Sequence, residues 1–271
     1  MTRWLAAYVL GILIVAAAAA PLLSRHRPDD LALASRRAAP SADHWFGTDE
    51  LGRDVFARVL HGARVSLAVG LLAAAVAGTI GLVIGGTAAL AGGSVDSVLM
   101  RGTDAMLAVP RLLLLMIAGA VLSPSVPLLI VLVGSVGWME TARVVRAEVL
   151  ALRQRAFVEA ARAAGASLPR LLTRHLLANA AGPLLVAITL AVGRSILLES
   201  TLSFFGVGVQ PPAASWGNML YQAQTTLSTE PWLAFFPGLF IFATTLSVNA
   251  LGDQFADTRR GASTDRATTT S

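Results

Sequence analysis

A chain of 271 residues that is 55% hydrophobic and only 14% charged falls well short of the roughly 25% charge of a soluble domain. Its apolar residues gather in continuous runs rather than alternating, which selects membrane-spanning helices and excludes a β-barrel. The 21 basic residues are all arginine and give a net charge of +5; they sit in loops and at the ends of apolar runs, a distribution that orients a membrane protein and speaks against nucleic-acid binding.

The first apolar run covers residues 4–23 and ends in an alanine tract before Pro21. Its length suits a retained N-terminal span (1–23) better than a cleaved leader. Residues 24–64 form a polar linker that leads into an amphipathic stretch. Thr48 or Asp49 is the expected helix cap, and Val55, Phe56, Val59 and Leu60 fall on one face, which predicts a helix lying at the membrane surface. Residues 65–95 carry no charge and are rich in glycine, with Gly70, Gly78, Gly81, Gly85 and Gly86 among them, spacings that let helices pack closely in lipid. Further spans are expected over 105–122, from 126 to 139, over 183–205 and over 232–251. Pro124 and Pro127 mark a turn between the third and fourth. The polar tail 258–271 is expected to be flexible.

Loop charge sets the orientation. Seven arginines lie within 141–180, none within 206–230, and three in the tail. The positive-inside rule then places 141–180 and both termini in the cytoplasm and 206–230 outside. One segment pulls the other way: residues 24–64 also hold seven arginines, yet the later loops place it outside.

The 141–180 loop contains FVEAARAAGASLPRLLTRHLLAN (157–179). Residues 155–164 have good helix propensity, Gly165 sits where a positive-φ residue would end that helix, and Ser167 with Pro169 can start the next. Small alanines beside Glu159 give a smooth knob suited to a partner's groove, with arginines for an acidic rim. A solvated amphipathic loop would show the same pattern.

Glu159-Ala160-Ala161 followed by Gly165 resembles the EAA loop of ABC importer permeases. Three other blocks stand in the same order: FGTDELGRDVFARVLHGARVSL (46–67), LLESTLSFFGVGVQPPAASWGNML (197–220) and NALGDQFAD (249–257). Together they resemble the C-type permeases of dipeptide, oligopeptide and nickel importers, over nearly the whole chain from His44 onward. The resemblance implies an all-α fold of six transmembrane helices, of the type I ABC importer permease kind, with the permease domain at 65–257. It implies a bacterial plasma (inner) membrane location and a heterodimer with a B-type permease. Two ATP-binding subunits and an extracytoplasmic substrate-binding protein complete the implied assembly. Glu159, Ala160, Ala161, Gly165, Ala166 and Ser167 match the coupling helix that docks in the ATPase cleft. ATP and Mg belong to those partners, and no cofactor is expected in this chain. Without lysine it cannot form a GxxxxGK[ST] phosphate loop, so it is read as a non-catalytic subunit. It departs from its relatives at Ala178, where they carry proline.

Arg194 and Glu199 share an apolar run, a costly placement that marks a translocation path or interhelix packing. The segment 206–230, with Gly206, Gly208, Pro211, Pro212 and Gly217, reads as stiff and irregular. Trp216 is expected at the membrane interface, and the loop as a whole is expected to receive cargo from the binding protein. The leading function is a peptide-importer channel subunit. The alternatives are a stand-alone secondary transporter, or a permease for nickel chelates or haem. Internal repeats and broken helices, which would favour the secondary transporter, are not evident. An intramembrane enzyme has no support: the histidines lie outside the apolar runs, no cysteine exists, and His26, His44, His61 and His175 show no metal-ligand spacing.

Overall fold

A computed structural model describes residues 3–122, 125–166, 170–171 and 177–268. Among them the only β-type pairing is a single bridge, Thr48 to Asp54; the rest of the regular structure is helical. In chain order the helices are α1 (Arg3–Ala18), α2 (Ala20–Leu23), α3 (Val55–Ala91), α4 (Gly93–Ala108), α5 (Arg111–Val121), α6 (Val126–Arg153), α7 (Ala156–Ala163), α8 (Leu177–Phe204), α9 (Trp216–Ala223) and α10 (Trp232–Thr268). Among the described residues, four segments are long and apolar enough to cross a bilayer: Val55–Ala91, Val126–Arg153, Asn179–Phe204 and Trp232–Gln254. The backbone of α10 stays helical to Thr268, well past the point where the composition turns polar.

The expected third span is not one straight helix. After α4 the backbone extends at Val109 and Pro110, and α5 sets off at 78° to α4. Proline has no N–H to donate and disfavours helical geometry in the residue before it, so Val109-Pro110 is where a helix would break. Counted as one span, the bent pair makes a fifth. The expected sixth is the first apolar run: α1 is shorter than a full crossing but continues almost without interruption into α2 around Ala19.

The central pairing is α3 on α6. A Cβ on Gly85 would lie 2.2 Å from the Ala142 carbonyl oxygen, and one on Gly81 would lie 2.7 Å from the Thr141 Cβ. Glycine at these two positions lets the backbones approach to direct contact, the close packing expected of that run. Helix α8 lies across both, α10 packs on α8, and α1 lies against α10 and α3. Ser125 caps α6, its hydroxyl accepting from Leu128 N–H at 3.3 Å. Pro127 therefore sits in the first turn, where proline is tolerated, instead of interrupting a helix; Ser123 and Pro124 lie outside the described residues.

The amphipathic surface helix expected before α3 does not exist as a separate element. Its residues are the first turns of α3, and both faces are covered: Val55, Ala57, Arg58, Val59 and Leu60 are all buried. The cap is Asp54, not Thr48 or Asp49, its Oδ1 accepting from Ala57 N–H at 2.7 Å. Thr48 and Asp49 instead shape the preceding loop. The Thr48 hydroxyl donates to the Ser35 carbonyl and accepts from Ala38 N–H. The Asp49 carboxylate accepts from the Leu51 and Arg53 amides and from Arg53 Nε at 2.7 Å. Positive φ at Gly47 and Gly52 completes the turn.

Residues 206–230 are more ordered than their composition suggests. They contain α9, opened by a capping box in which Ser215 and Asn218 bond each other's backbone amides. Trp216 is not at an interface but fully buried, its indole N–H donating to the Val59 carbonyl at 3.0 Å. Gln222 Oε1 lies within 3.5 Å of Arg53 and Arg58 guanidinium nitrogens, and Arg37 pairs with Glu230 at 3.3 Å. Residues 24–54 and 206–230 therefore form one cap over the Val55 end of α3.

Candidate functional site

At the opposite end of α3, about 55 Å along a helix of this length, lies the segment that matched the coupling motif. Arg153, the last residue of α6, donates to the carbonyl of Ala89 in the last turn of α3. After two intervening residues α7 begins. Val158 is its buried anchor, packed with Ala89, Leu90, Val145, Val149 and Leu171. The other side of α7 faces outward: Glu159, Ala160, Ala163, Ala164 and Gly165 are exposed, Ala161 and Ala166 half-buried. Phe157 is 41% exposed, an aromatic ring beside the alanines that no motif singles out.

Gly165 ends α7 as expected, with φ +79°. Ala166 N–H reaches back to the Ala161 carbonyl at 3.0 Å, the six-to-one bond of a left-handed helix stop. Among the described residues, nothing lies within 4 Å of where a Gly165 Cβ would be. Ser167 and Pro169, expected to open the next helix, lie outside the described residues, as does His175. Ala178 lies in the first turn of α8, with no proline to interrupt it.

Helix α6 ties this corner to the bent pair. Glu140, Arg143 and Arg146, three residues apart and so on one face, pair with Arg111, Asp104 and Asp96. The Arg146–Asp96 contact is two-pronged, Nε to Oδ1 at 2.5 Å and Nη2 to Oδ2 at 2.6 Å, the geometry that gives arginine–carboxylate pairs their directionality. These three ion pairs join α6 to α4 and α5.

Next to the bend is a cavity of about 410 Å³ between α3, α5, α6 and α8. Ala77, Gly137, Ala187 and Ala191 give it small apolar walls, and Arg111, Glu140, Glu148 and Arg194 put charge into it. Arg194 and Glu199, grouped by sequence, part company here. Arg194 opens onto the cavity, with Nη1 3.5 Å from Glu140 Oε1. Glu199 is fully buried elsewhere, accepting from Ser203 at 2.8 Å, Ser66 at 3.0 Å and Ser200 at 3.4 Å. Ser66 also accepts from Trp216 N–H at 3.3 Å, so Glu199 locks α8 to α3 and to the cap.

The histidines also meet in a way their spacing concealed. His44 Nδ1 lies 2.8 Å and His26 Nδ1 3.6 Å from Asp54 Oδ2, with ring centroids 4.7 Å apart. Ligand atoms of all three residues fall within 4.8 Å of one another, a grouping in space that their spacing in sequence does not show.

The molecule thus has a cap at one end of α3, an exposed helix with a glycine stop at the other and a charged cavity between. Residues 62–260 match the family described as the binding-protein-dependent transport system inner membrane component. The chain belongs to this family. It is 41% identical over 251 residues to the dipeptide transport system permease protein DppC of Bacillus subtilis, covering 92% of this chain and 78% of that one. It is 39% identical over 249 residues to the oligopeptide transport system permease protein OppC of the same organism, covering 92% and 82%. The chain is therefore a multi-pass ABC permease subunit and not itself an enzyme, as the four blocks implied.

Proposed function

We propose that this chain is the C-type permease of an ATP-driven importer of dipeptides or oligopeptides in a bacterial inner membrane. It pairs with a B-type permease, two ATP-binding subunits and an extracytoplasmic binding protein. Residues 156–166 dock in an ATPase cleft, and closure of the two ATPases pushes on α7. Val158 and Arg153 carry the push to α6 and α3, the three ion pairs carry it to the α4–α5 bend, and access to the cavity alternates. The cap of 24–54 and 206–230 faces the binding protein, and the C-terminus and residues 141–180 face the cytoplasm.

The observation that carries this reading is the exposed, alanine-faced α7 with its left-handed stop at Gly165, seated on the α3 and α6 ends farthest from the cap. Peptide cargo is supported by the names of the relatives, one a dipeptide and one an oligopeptide permease. The bend in α4–α5 is a feature secondary transporters share, but family membership favours a subunit that works with an ATPase. The test is a cysteine pair, one replacing Ala160 in this otherwise cysteine-free chain and one in the ATPase cleft. Cross-linking that strengthens when ATP is bound supports the reading, whereas absence of any cross-link along α7 overturns it.

A further inference from the structure

Charges inside membrane-spanning helices are costly, and they persist where water or a polar cargo reaches them. The cavity at the α4–α5 bend holds four: Arg111, Arg194, Glu140 and Glu148. They are unequally satisfied. Glu140 Oε1 is held directly by Arg111. Arg194 Nη1 stands 3.5 Å from the same oxygen, well outside the 2.7–2.9 Å of a tight charge-assisted bond, and the Arg194 side chain is 48% exposed. Glu140 Oε2 is buried without a hydrogen-bond partner among the described residues. One guanidinium thus has donors to spare, and one carboxylate has an acceptor to spare, on the same cavity.

The sum of charge narrows the ligand. Two arginines and two glutamates cancel, so the site does not attract polyanions, and a cargo with one carboxylate and one ammonium leaves it neutral. A volume of about 410 Å³ lies within the roughly 300–1,000 Å³ usual for small-ligand sites. The uncharged lining is mainly apolar, from Ala77 and Gly137 to Val144 and Leu190, and offers a side chain few polar partners.

We propose that this cavity is a transit site for zwitterionic short peptides, in which the peptide carboxylate takes the place of Glu140 as the partner of Arg194. Arg111 keeps hold of the released Glu140, which with Glu148 faces the peptide ammonium. The site reads the two ends common to all free peptides and leaves side-chain choice to other parts of the transporter. This inference rests on the peptide-importer reading.

The test uses the whole importer, purified with its partners and reconstituted in vesicles, with radiolabelled dialanine as probe and dialanine amide as its carboxylate-free counterpart. Arg194→Gln should lower dialanine uptake about tenfold, the scale of one charge-assisted hydrogen bond. Stimulation of ATP hydrolysis by loaded binding protein should stay as in wild type. Arg194→Lys should restore part of the uptake, and wild type should prefer dialanine over the amide by a margin that Arg194→Gln loses. Equal uptake by Arg194→Gln and wild type, or an unchanged preference, overturns the transit site while leaving the importer intact. Loss of ATPase stimulation in Arg194→Gln makes Arg194 a structural pin and also overturns it. If wild type moves no dialanine with ATP present, peptide cargo fails, and the transit site with it.

Discussion

Two glycines, Gly165 and Gly85, separate coupling from folding. Gly165 has φ +79° and, among the described residues, open space around its Cβ position. Aspartate there meets none of those residues at its Cβ, and the fold loses the cost of a left-handed non-glycine residue, about 1–2 kcal/mol. Gly85 has ordinary helical geometry, but a Cβ would sit 2.2 Å from the Ala142 carbonyl oxygen. That atom is backbone, so α3 and α6 must move apart, a cost of about 1–3 kcal/mol or more by the measure of overpacked cores. Both Gly165→Asp and Gly85→Ala should abolish peptide uptake, for different reasons. Gly165→Asp should purify in near wild-type yield, melt within a few degrees of wild type and keep its sibling permease, yet lose the ATPase. Gly165→Ala, with the same backbone strain but little bulk, should retain part of the ATPase. Gly85→Ala should lower yield and melting temperature outright. The assays are a thermal melt in detergent and a pull-down through a tag on this chain. The reasoning is refuted if Gly165→Asp binds ATPase and transports as wild type does, or if Gly165→Asp unfolds while Gly85→Ala does not.

Other substitutions probe the remaining parts. Glu159→Ala, on the exposed face of α7, should weaken ATPase assembly more mildly than Gly165→Asp; unchanged assembly in a titrated pull-down removes Glu159 from the docking surface. Asp54→Ala deletes the α3 cap and the partner of His44 and should cost about 1–2 kcal/mol, whereas Asp54→Asn keeps a capping oxygen and should cost less; equal thermal melts for the two would show that the cap is not the source. Trp216→Ala empties a fully buried site and should cost about 3–5 kcal/mol, read as loss of folded protein. Tyr221, 51% exposed on the same cap, offers a cleaner probe: Tyr221→Ser should leave the melt unchanged and reduce stimulation of ATP hydrolysis by binding protein.

The parts of this molecule that were legible in its sequence are those written locally. Continuous apolar runs located the spans, the glycines of residues 65–95 announced a tight helix pair, and Gly165 declared a left-handed stop because few other residues accept that φ. What sequence could not show is contact between distant segments. Asp54 meets His26 and His44 only once residues 24–54 have folded back. Arg194 finds Glu140 on another helix, and Glu199 finds Ser66. Trp216 looked interfacial because its indole suits a headgroup layer, but Val59 supplies the hydrogen-bond acceptor inside.

Several arginines of residues 24–64 have partners that their sequence does not show. Arg53 and Arg58 are buried against Asp49, Arg36 donates to the Glu50 carbonyl at 2.7 Å, Arg37 pairs with Glu230, and Arg25 lies 5.6 Å over the Trp45 ring. Their contacts with residues 206–230 place both segments at one end of α3. The bend at Val109-Pro110 was legible in principle, since proline cannot continue a helical hydrogen-bond ladder, but the hydropathy of residues 105–122 runs straight through it.

The central claim is that this chain is one half of a peptide channel driven by a partner's ATP hydrolysis. Purification of the tagged chain from its native membrane, followed by reconstitution of whatever accompanies it, tests that most directly. The account predicts that a sibling permease and ATP-binding subunits come with it, and that the vesicles accumulate dialanine only when binding protein and ATP are both supplied. Purification of the chain alone, with solute movement that needs no ATP, would contradict it.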